Sequence, residues 1–565
     1  MVKSFINLTI LVLMLMGSII MNGCGNSTSS MEVDLILKNG KIWTGTDQPK
    51  WAQAIAIKGE KILAVGNNSE IMAMTGRATR VIDVEGKLVV PGFNDAHVHF
   101  RDGGFSLLEI KLRDAKNEDE YAQRIKKEVE SLPEGTWITG GNWDHEAWPS
   151  KKYPTKELID PFTPVHPVLV NRLDGHVALA NSLALKLAGI TKTTPDPQGG
   201  QILKDPITGE PTGILRDAAM ELVYQVIPPK SYEQQRRVIL AALKHAAALG
   251  VTSIQDNSSR MDLQIYQELL QQDKLTLRIN AWRPIECCNE FKKLGISARF
   301  GAPMLRIGCL KLYADGSMGA GSALFFESYA DDPGTSGLAM YPEDELQRLI
   351  LEADAQGLQL ATHAIGDKAN RMVLDAYQKA LQINGRRDSR HRIEHAQVVK
   401  PEDLPRFAEL GVIASIQPSH CIDDMRWAEK RIGKARCHDS YRFRSIYDAG
   451  AKIAFGTDWP VEPLNPMLGI YAAVTREFPE GGPAGGWHPE EKLTLEQALT
   501  LYTQGPAYAE FAEDVKGTLE PGKLADLVAL SKNLFEIAPR EILETKAVLT
   551  IVGGKIVFER ADNDN

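Results

Sequence analysis

The sequence predicts an α/β protein built on a (β/α)8 TIM-like barrel, with a small β-sandwich made from both chain ends and an α+β insertion after barrel strand 1. Three observations predict it. Apolar strand-like runs alternate with amphipathic helical runs through most of the chain, and polar residues gather at the strand ends. Such alternation gives a parallel sheet, and eight units close into a barrel. Both ends of the chain instead read as short strands joined by tight turns, and a stretch at 103–230 is far longer than a crossover helix needs.

At 565 residues the chain exceeds one ordinary core. Its formal net charge of −9 comes with no clustered basic surface, so a nucleic-acid partner is not expected. Lys3 is followed by no charged residue until Glu32, and the run from Ile6 to Met21 is rich in Ile, Leu and Met, the pattern of a secretory signal. Met21-Asn22-Gly23-Cys24 resembles a bacterial lipobox, so residues 1–30 are expected to be a lipoprotein signal peptide and tether. Lipidated Cys24 would then anchor the protein to a membrane at the cell envelope, facing the periplasm or the exterior. An uncleaved transmembrane anchor is the alternative. The other cysteines, Cys287, Cys288, Cys309, Cys421 and Cys437, are odd in number and lack C-x-x-C spacing, which points to neither a disulfide framework nor a cysteine zinc site.

The β ends come first in chain order. DLILKNGKIWTG carries Asn39-Gly40 as a hairpin turn, and AIAIKGEKILAVG turns at Gly59. LTIVGGKIVFE, 549–559, repeats the strand, turn, Lys-Ile, strand arrangement. An isolated hairpin is marginal in water, so the ends are expected to meet in one domain, 31–88 with 515–560. The barrel then takes 89–102 with 231–514, and 103–230 is the inserted domain.

Barrel strand 1 lies in LVVPGFNDAHVHF, from Leu88 to Phe100, where His97 and His99 are spaced i, i+2. On extended backbone they point to one side, which suits two imidazoles on one metal ion. SYEQQRRVILAALKHAAALG opens with Ser231 and Gln234 as a capping box and stops at Gly250 before the strand VTSIQD. Helical runs stop in the same way at Gly357, Gly411 and Gly450, ahead of LQLATHAIGD, VIASIQPSH and AKIAFGTDWP. LTLRINAWRP, LRIGCLKLYADG and RHRIEHAQ complete eight strands.

Barrel active sites form at the C-terminal ends of the strands. Strand 4 brings Lys311 and Asp315 there, and strands 5 to 8 bring His363, His395, His420 and Asp458. The insert leaves from the same rim. Trp143, Asp144 and His176 in it are therefore candidate substrate contacts, with fold-stabilising roles equally open, and His420 is a further candidate. His145, His166, His245, His391, His438 and His488 have no strand-end placement and are read as structural.

PGFNDAHVH, the DGH of the insert, LKLYADGSMGA, THAIGD, RIEHA, GTDWPV and GTLEPGKLADLVAL, in this order, resemble the amidohydrolase superfamily. The match is to the amidohydrolase family 3 branch, which includes N-substituted formamide deformylase. The resemblance implies hydrolysis of a non-peptide carbon–nitrogen bond in a small-molecule amide by metal-activated water. It implies that His97 and His99 bind one metal, His363 and His395 a second, and that Lys311 is a carboxylated lysine bridging them. Asp458 would contact the first metal and act as general base. One or two divalent ions are expected, zinc foremost, although such donors also accept iron, manganese or nickel.

The lysine chemistry agrees with this assignment. An ammonium in the apolar strand CLKLY is disfavoured by desolvation, which promotes the neutral amine that takes up carbon dioxide. Three alternatives stay open. Lys311 pairs with Asp315 and histidines hold one metal; the chain is a non-catalytic binding or regulatory lipoprotein on the same barrel; or it is a cyclic-amide hydrolase.

Overall fold

The computed structural model describes residues 33–145, 148–173, 175, 177–197 and 200–561. Cys24 with the apolar run before it, and His176, lie outside the described residues. Among the described residues no helix is long and apolar enough to cross a membrane.

The barrel strands follow one another round the ring in chain order: Phe93–Val98, Val251–Asn257, Arg278–Pro284, Leu305–Tyr313, Leu360–Ala364, Arg392–His395, Ile413–Ile416 and Lys452–Phe455. Every neighbouring pair is parallel. Strands 8 and 1 meet just past their ends. Val98 and Trp459 form a parallel bridge, and the Asp458 amide donates to the His97 carbonyl at 2.7 Å. Asp95 reinforces this seam by accepting from the Thr457 amide at 3.0 Å and its hydroxyl at 2.6 Å.

Local chemistry sets the surrounding helices. Tyr232–Ala248 is held by the reciprocal Ser231–Gln234 capping box, and Gly250, Gly357, Gly411 and Gly450 all take positive φ after their helices. A side chain would strain that left-handed turn, so glycine ends each helix and lets the next strand begin. The apolar faces pack into one large core that includes Phe93, Ile254, Leu310, Leu360, Ile393 and Phe455.

The two chain ends share a six-strand sheet. Leu88–Pro91 lies between Lys41–Trp43, to which it is parallel, and Leu527–Leu530, to which it is antiparallel. Ala547–Val552 and Lys555–Glu559 extend that sheet as a hairpin turning at Gly553 and Gly554, both with positive φ. A second sheet, holding Leu35–Lys38, Ala54–Lys58, Lys61–Gly66 and Arg80–Asp83, packs on it through Leu37, Ile55, Val89, Leu527 and Ile551.

Two expectations for this region are corrected. Leu88–Pro91 belongs to the terminal sheet rather than the barrel, so the β domain extends past residue 88 and barrel strand 1 begins at Phe93. Gly92 joins them because any Cβ there would come within 2.2 Å of Thr252 Oγ1. Asn39-Gly40 is not a hairpin turn either. Leu35–Lys38 and Lys41–Trp43 lie in different sheets, and the turn crosses the sandwich.

After strand 1 the helix Phe100–Leu108 packs against Tyr232–Ala248, so the barrel layer continues past residue 103 before the insert begins. The insert is a six-strand mixed sheet, from Ile110–Lys111 at one edge to Gly200–Lys204 at the other. Helix Glu118–Val129 covers it and buries Tyr121 and Ile125 in the insert's own core.

Candidate metal centre

The ends of strands 1, 5, 6 and 8 and the helix after strand 7 bring six candidate ligands, His97, His99, His363, His395, His420 and Asp458, to one rim. His97 and His99 ring centroids are 5.7 Å apart, His97 and His395 5.3 Å, and His363 and His395 4.4 Å. Asp458 Oδ1 stands 3.3 Å from His99 Nε2 and 3.5 Å from His97 Nε2. Two groups of described residues have ligand atoms within 4.8 Å of one another: His97, His99 and Asp458, and His395, His420 and Asp458. Asp458 is common to both. A more exposed group, His438, His488 and Glu490, has similar spacing.

Backbone geometry aims two of these side chains. His395 and Asp458 both take left-handed φ, at 76° and 57°, which non-glycine residues adopt only at a cost that surrounding contacts must offset. At Asp458 the bond to the His97 carbonyl supplies one such contact.

Electrostatics leave four of the imidazoles neutral and ready to ligate, whereas at His99 burial lowers the pKa but Asp458 outweighs it and raises the group above its ordinary value. Burial lowers His97 to about 4 and His363 to about 3, Lys311 adding to both effects, and burial also depresses His395 and His420. Neutral imidazole is the form that binds metal. Burial raises Asp458, but His97 and His99 outweigh it and hold the carboxyl well below its ordinary range. Burial lowers Lys311 to about 8, and its Nζ lies 3.2 Å from His97 Nε2.

The fit to a metal ion is tested by the atoms left over. Among the described residues Asp458 Oδ1, His395 Nδ1 and His420 Nε2 are buried without a hydrogen-bond partner. Desolvating polar atoms in this way costs free energy unless another partner takes them up. Imidazole and carboxylate are the donors that zinc and similar divalent ions accept. The residues present therefore fit the group.

The expected sites divide as follows. His97, His99, His395 and Asp458 converge, Lys311 stands beside His97, and His420 joins the cluster instead of lying aside as a substrate contact alone. His363 is adjacent through His395, but its Nε2 faces the Gly316 carbonyl at 3.1 Å and Asp315 Oδ1 at 3.5 Å. Asp315 does not pair with Lys311. It accepts from the amides of Leu324, Ile365 and Gly366 at 2.8, 3.0 and 2.8 Å and ties the loops after strands 4 and 5 together. Trp143 is not a pocket residue: it is fully buried in the insert's core with its indole N–H on the Val170 carbonyl at 2.9 Å. Asp144, paired with Arg172 at 2.9 Å, lines a cavity at the rim.

Two contributors were not foreseen. Glu394, fully buried, reaches His97 Nδ1 at 2.9 Å and Arg392 on its other side. Burial would raise its pKa, but Arg392 and then His97 bring it to about 2. A carboxylate behind a ligating histidine fixes the ring and leaves Nε2 for the metal. Its signal was available, since a charged pair inside the apolar strand RIEH must find partners. Asn257, at the end of strand 2, places Nδ2 3.1 Å from His97 Nε2 and 3.4 Å from His99 Nε2, and nothing in VTSIQDN marked it.

A closed parallel barrel with histidines and a carboxylate converging at its C-terminal rim defines the class of metal-dependent barrel hydrolases. The chain belongs to the amidohydrolase family, whose model matches residues 80–558. It is 38% identical to the protein LONG AFTER FAR-RED 3 of Arabidopsis thaliana over 93% of this chain and 91% of that protein. It is 28% identical to the N-substituted formamide deformylase of Arthrobacter pascens over 93% of this chain and 98% of that enzyme. Among solved structures it matches an uncharacterized metal-dependent hydrolase from Pyrococcus horikoshii OT3 with a TM-score of 0.75 and 31% identity, covering 89% of this chain and 99% of the other.

Proposed function

We propose that this protein is a metal-dependent amidohydrolase that cleaves the carbon–nitrogen bond of a small-molecule amide, an N-substituted formamide or N-acyl amide, with water as the nucleophile. The observation that carries it is the convergence of His97, His99, His395 and His420 on Asp458, whose buried Oδ1 faces His97 and His99 Nε2 but has no hydrogen-bond partner among the described residues. A divalent cation held there, zinc foremost, would supply Lewis acidity that makes water more acidic and polarises the amide carbonyl. His97 and His99 with Asp458 would hold one ion, and His395 and His420, with His363 beside them, would hold a second.

Asp458 Oδ1 takes the proton of the attacking water and returns it to the leaving nitrogen. Glu394 keeps His97 turned so that Nε2 faces the centre. Burial lowers Lys311 to about 8, which makes its neutral amine more available; that amine would add to carbon dioxide and lose a proton to solvent, and the resulting carbamate would offer the centre an anionic ligand. The Arthrobacter relative supports trying formamides first. A non-catalytic binding barrel would be signalled by a lost ligand, and every position is filled.

The experiment is a screen of metal-reconstituted protein against N-formyl, N-acyl and cyclic amides. Turnover that disappears on chelation and returns with metal is expected. A fully metallated protein inert toward all three classes would leave the binding barrel as the better account.

The proposal also places the chain on the bacterial cell envelope, because the charge-free run from Ile6 to Met21 ends just ahead of Gly23-Cys24. Intact-mass analysis of membrane-extracted protein should find an acylated Cys24 as the new N-terminus. Cleavage elsewhere, or an unmodified Met1, would rule out the anchor.

A further inference from the structure

A cavity of about 880 Å³ lies where the insert meets the barrel rim, lined by Arg113, Asp144 and Arg172 from the insert, by Ser419 and Asp423 from the helix Pro418–Asp424 after strand 7, and by Glu462 from the segment after strand 8. It adjoins the candidate centre on two sides in the chain. Ser419 precedes His420, and Glu462 follows Asp458 by one turn, closed by the Val461 amide on the Asp458 carbonyl at 2.9 Å.

Most of the charge lining this cavity is already satisfied. Arg113 pairs with Asp423 at 3.4 Å, Arg172 with Asp144 at 2.9 Å, and Arg426 with Glu480 at 3.3 Å. Glu462 differs: it is only 6% exposed, yet it makes no hydrogen bond or ion pair among the described residues. Its desolvation is not compensated within the chain, and burial followed by the charge of Asp423 raises its carboxyl to about 8. Ser419 Oγ, in the helix Pro418–Asp424 after strand 7, is also buried with no hydrogen-bond partner among the described residues. Two polar groups left unsatisfied in the lining of one cavity are a cost to the fold that a ligand's hydrogen bonds would offset. Ile422, Trp427 and Leu468 give the same cavity an apolar side.

We infer that Glu462, assisted by Ser419, is the specificity group of the substrate pocket, and that it receives a hydrogen-bond donor, an amine or a hydroxyl, carried on the amide's nitrogen substituent beyond an apolar linker. This rests on the amide hydrolysis proposed above for the centre beside it. A donor is favoured over an acceptor because Asp423 and Asp424 add negative potential around Glu462, and Arg113 offsets only part of it.

The test separates binding from turnover. Metal-reconstituted protein is titrated by calorimetry with N-butylformamide, N-(4-aminobutyl)formamide, N-(4-hydroxybutyl)formamide and a ketone-capped analogue of equal length. Wild type should bind the amine or the alcohol at least about tenfold more tightly than the butyl compound, the range expected when a buried polar group gains its partner. Glu462→Leu should erase that preference and Ser419→Ala reduce it, while Glu462→Gln, nearly isosteric, keeps the alcohol and loses the amine.

Because the buried Glu462 carboxyl makes no hydrogen bond or ion pair among the described residues, Glu462→Leu should also raise Tm, whereas a residue serving only the fold would lower it. Equal binding of donor and butyl compounds, tighter binding of the ketone, no binding of any, or a lowered Tm with the preference intact would each overturn the inference. Discriminating binding without hydrolysis would support Glu462 and count instead against the amidohydrolase reaction.

Discussion

Asp458 has more asked of it than any other residue in the chain. It carries left-handed φ, lies within 3.5 Å of two histidine Nε2 atoms and is shared by both ligand groups. Asp458→Asn keeps its size and its backbone hydrogen bond to the His97 carbonyl but cannot accept a proton near neutral pH. Turnover should fall by about 10² to 10⁴, as when a general base is lost, with the circular dichroism spectrum unchanged and most metal retained. Near-normal kcat would reassign the base. Lys311→Ala should be inactive and partly rescued by short carboxylates such as propionate, which replace the anionic bridge. Rescue by short amines instead would show that the lysine acts unmodified. Both effects are set at single atoms.

Elements meet at two places where one substitution reports on the packing. A Cβ at Gly456 would lie 2.7 Å from the His97 amide nitrogen and 2.8 Å from Asp95 Oδ1, at the seam between strands 8 and 1. Gly456→Ala should cost roughly 1–3 kcal/mol in denaturant unfolding, typical of overpacking, and should weaken metal affinity because His97 and Asp458 flank the same seam. Undiminished affinity would show that the seam yields without moving the ligands.

The second place is Asp354, on helix Glu343–Ala355, which joins Arg387 at 2.6 Å and His391 Nε2 at 2.9 Å ahead of strand 6. Burial opposes its ionisation, but His391, Asn384 and Arg387 prevail and hold the carboxyl at about 2. Burial keeps His391 neutral, so Arg387 carries the balancing charge. The folded pKa is below the unfolded value of about 3.9, so the contribution is complete above about pH 4 and fades as pH falls toward 2. It amounts to about 2 kcal/mol. Asp354→Asn should flatten the stability profile between pH 4 and 2, which equilibrium urea unfolding across that range would measure.

At the scale of the whole molecule, the terminal β domain and the barrel are joined by a buried ion pair. Arg278 on strand 3 donates from Nε and Nη2 to Asp526 at 2.6 and 2.9 Å, just before Leu527–Leu530 enters the terminal sheet. Asp526→Ala leaves a buried guanidinium unpaired and should cost about 3–5 kcal/mol. Calorimetry should show one lowered transition if the domains unfold together. Two separated transitions would show that the ion pair had been coupling independent units.

What the sequence determined by itself is the part of the structure written in short-range chemistry. Helix stops at Gly250, Gly357, Gly411 and Gly450, the Ser231–Gln234 cap and apolar strands ending in His97, His363, His395 and Asp458 each span a few residues, and together they define the barrel and its rim. Tertiary structure decided what depends on which element covers which. Trp143 turned inward because the insert closes a core of its own, and Leu88–Pro91 joined the terminal sheet because Leu527–Leu530 returns to pair with it. Asn39-Gly40 crosses between sheets because its two strands find better partners than each other. Asp315 serves three loop amides, Glu394 stands behind His97, and Glu462 is buried with no hydrogen bond or ion pair among the described residues. Apart from the Arg392–Glu394 pair within RIEH and the nearby Leu324 amide on Asp315, the surroundings of these carboxylates come from residues tens to hundreds of positions away, and local sequence does not record them.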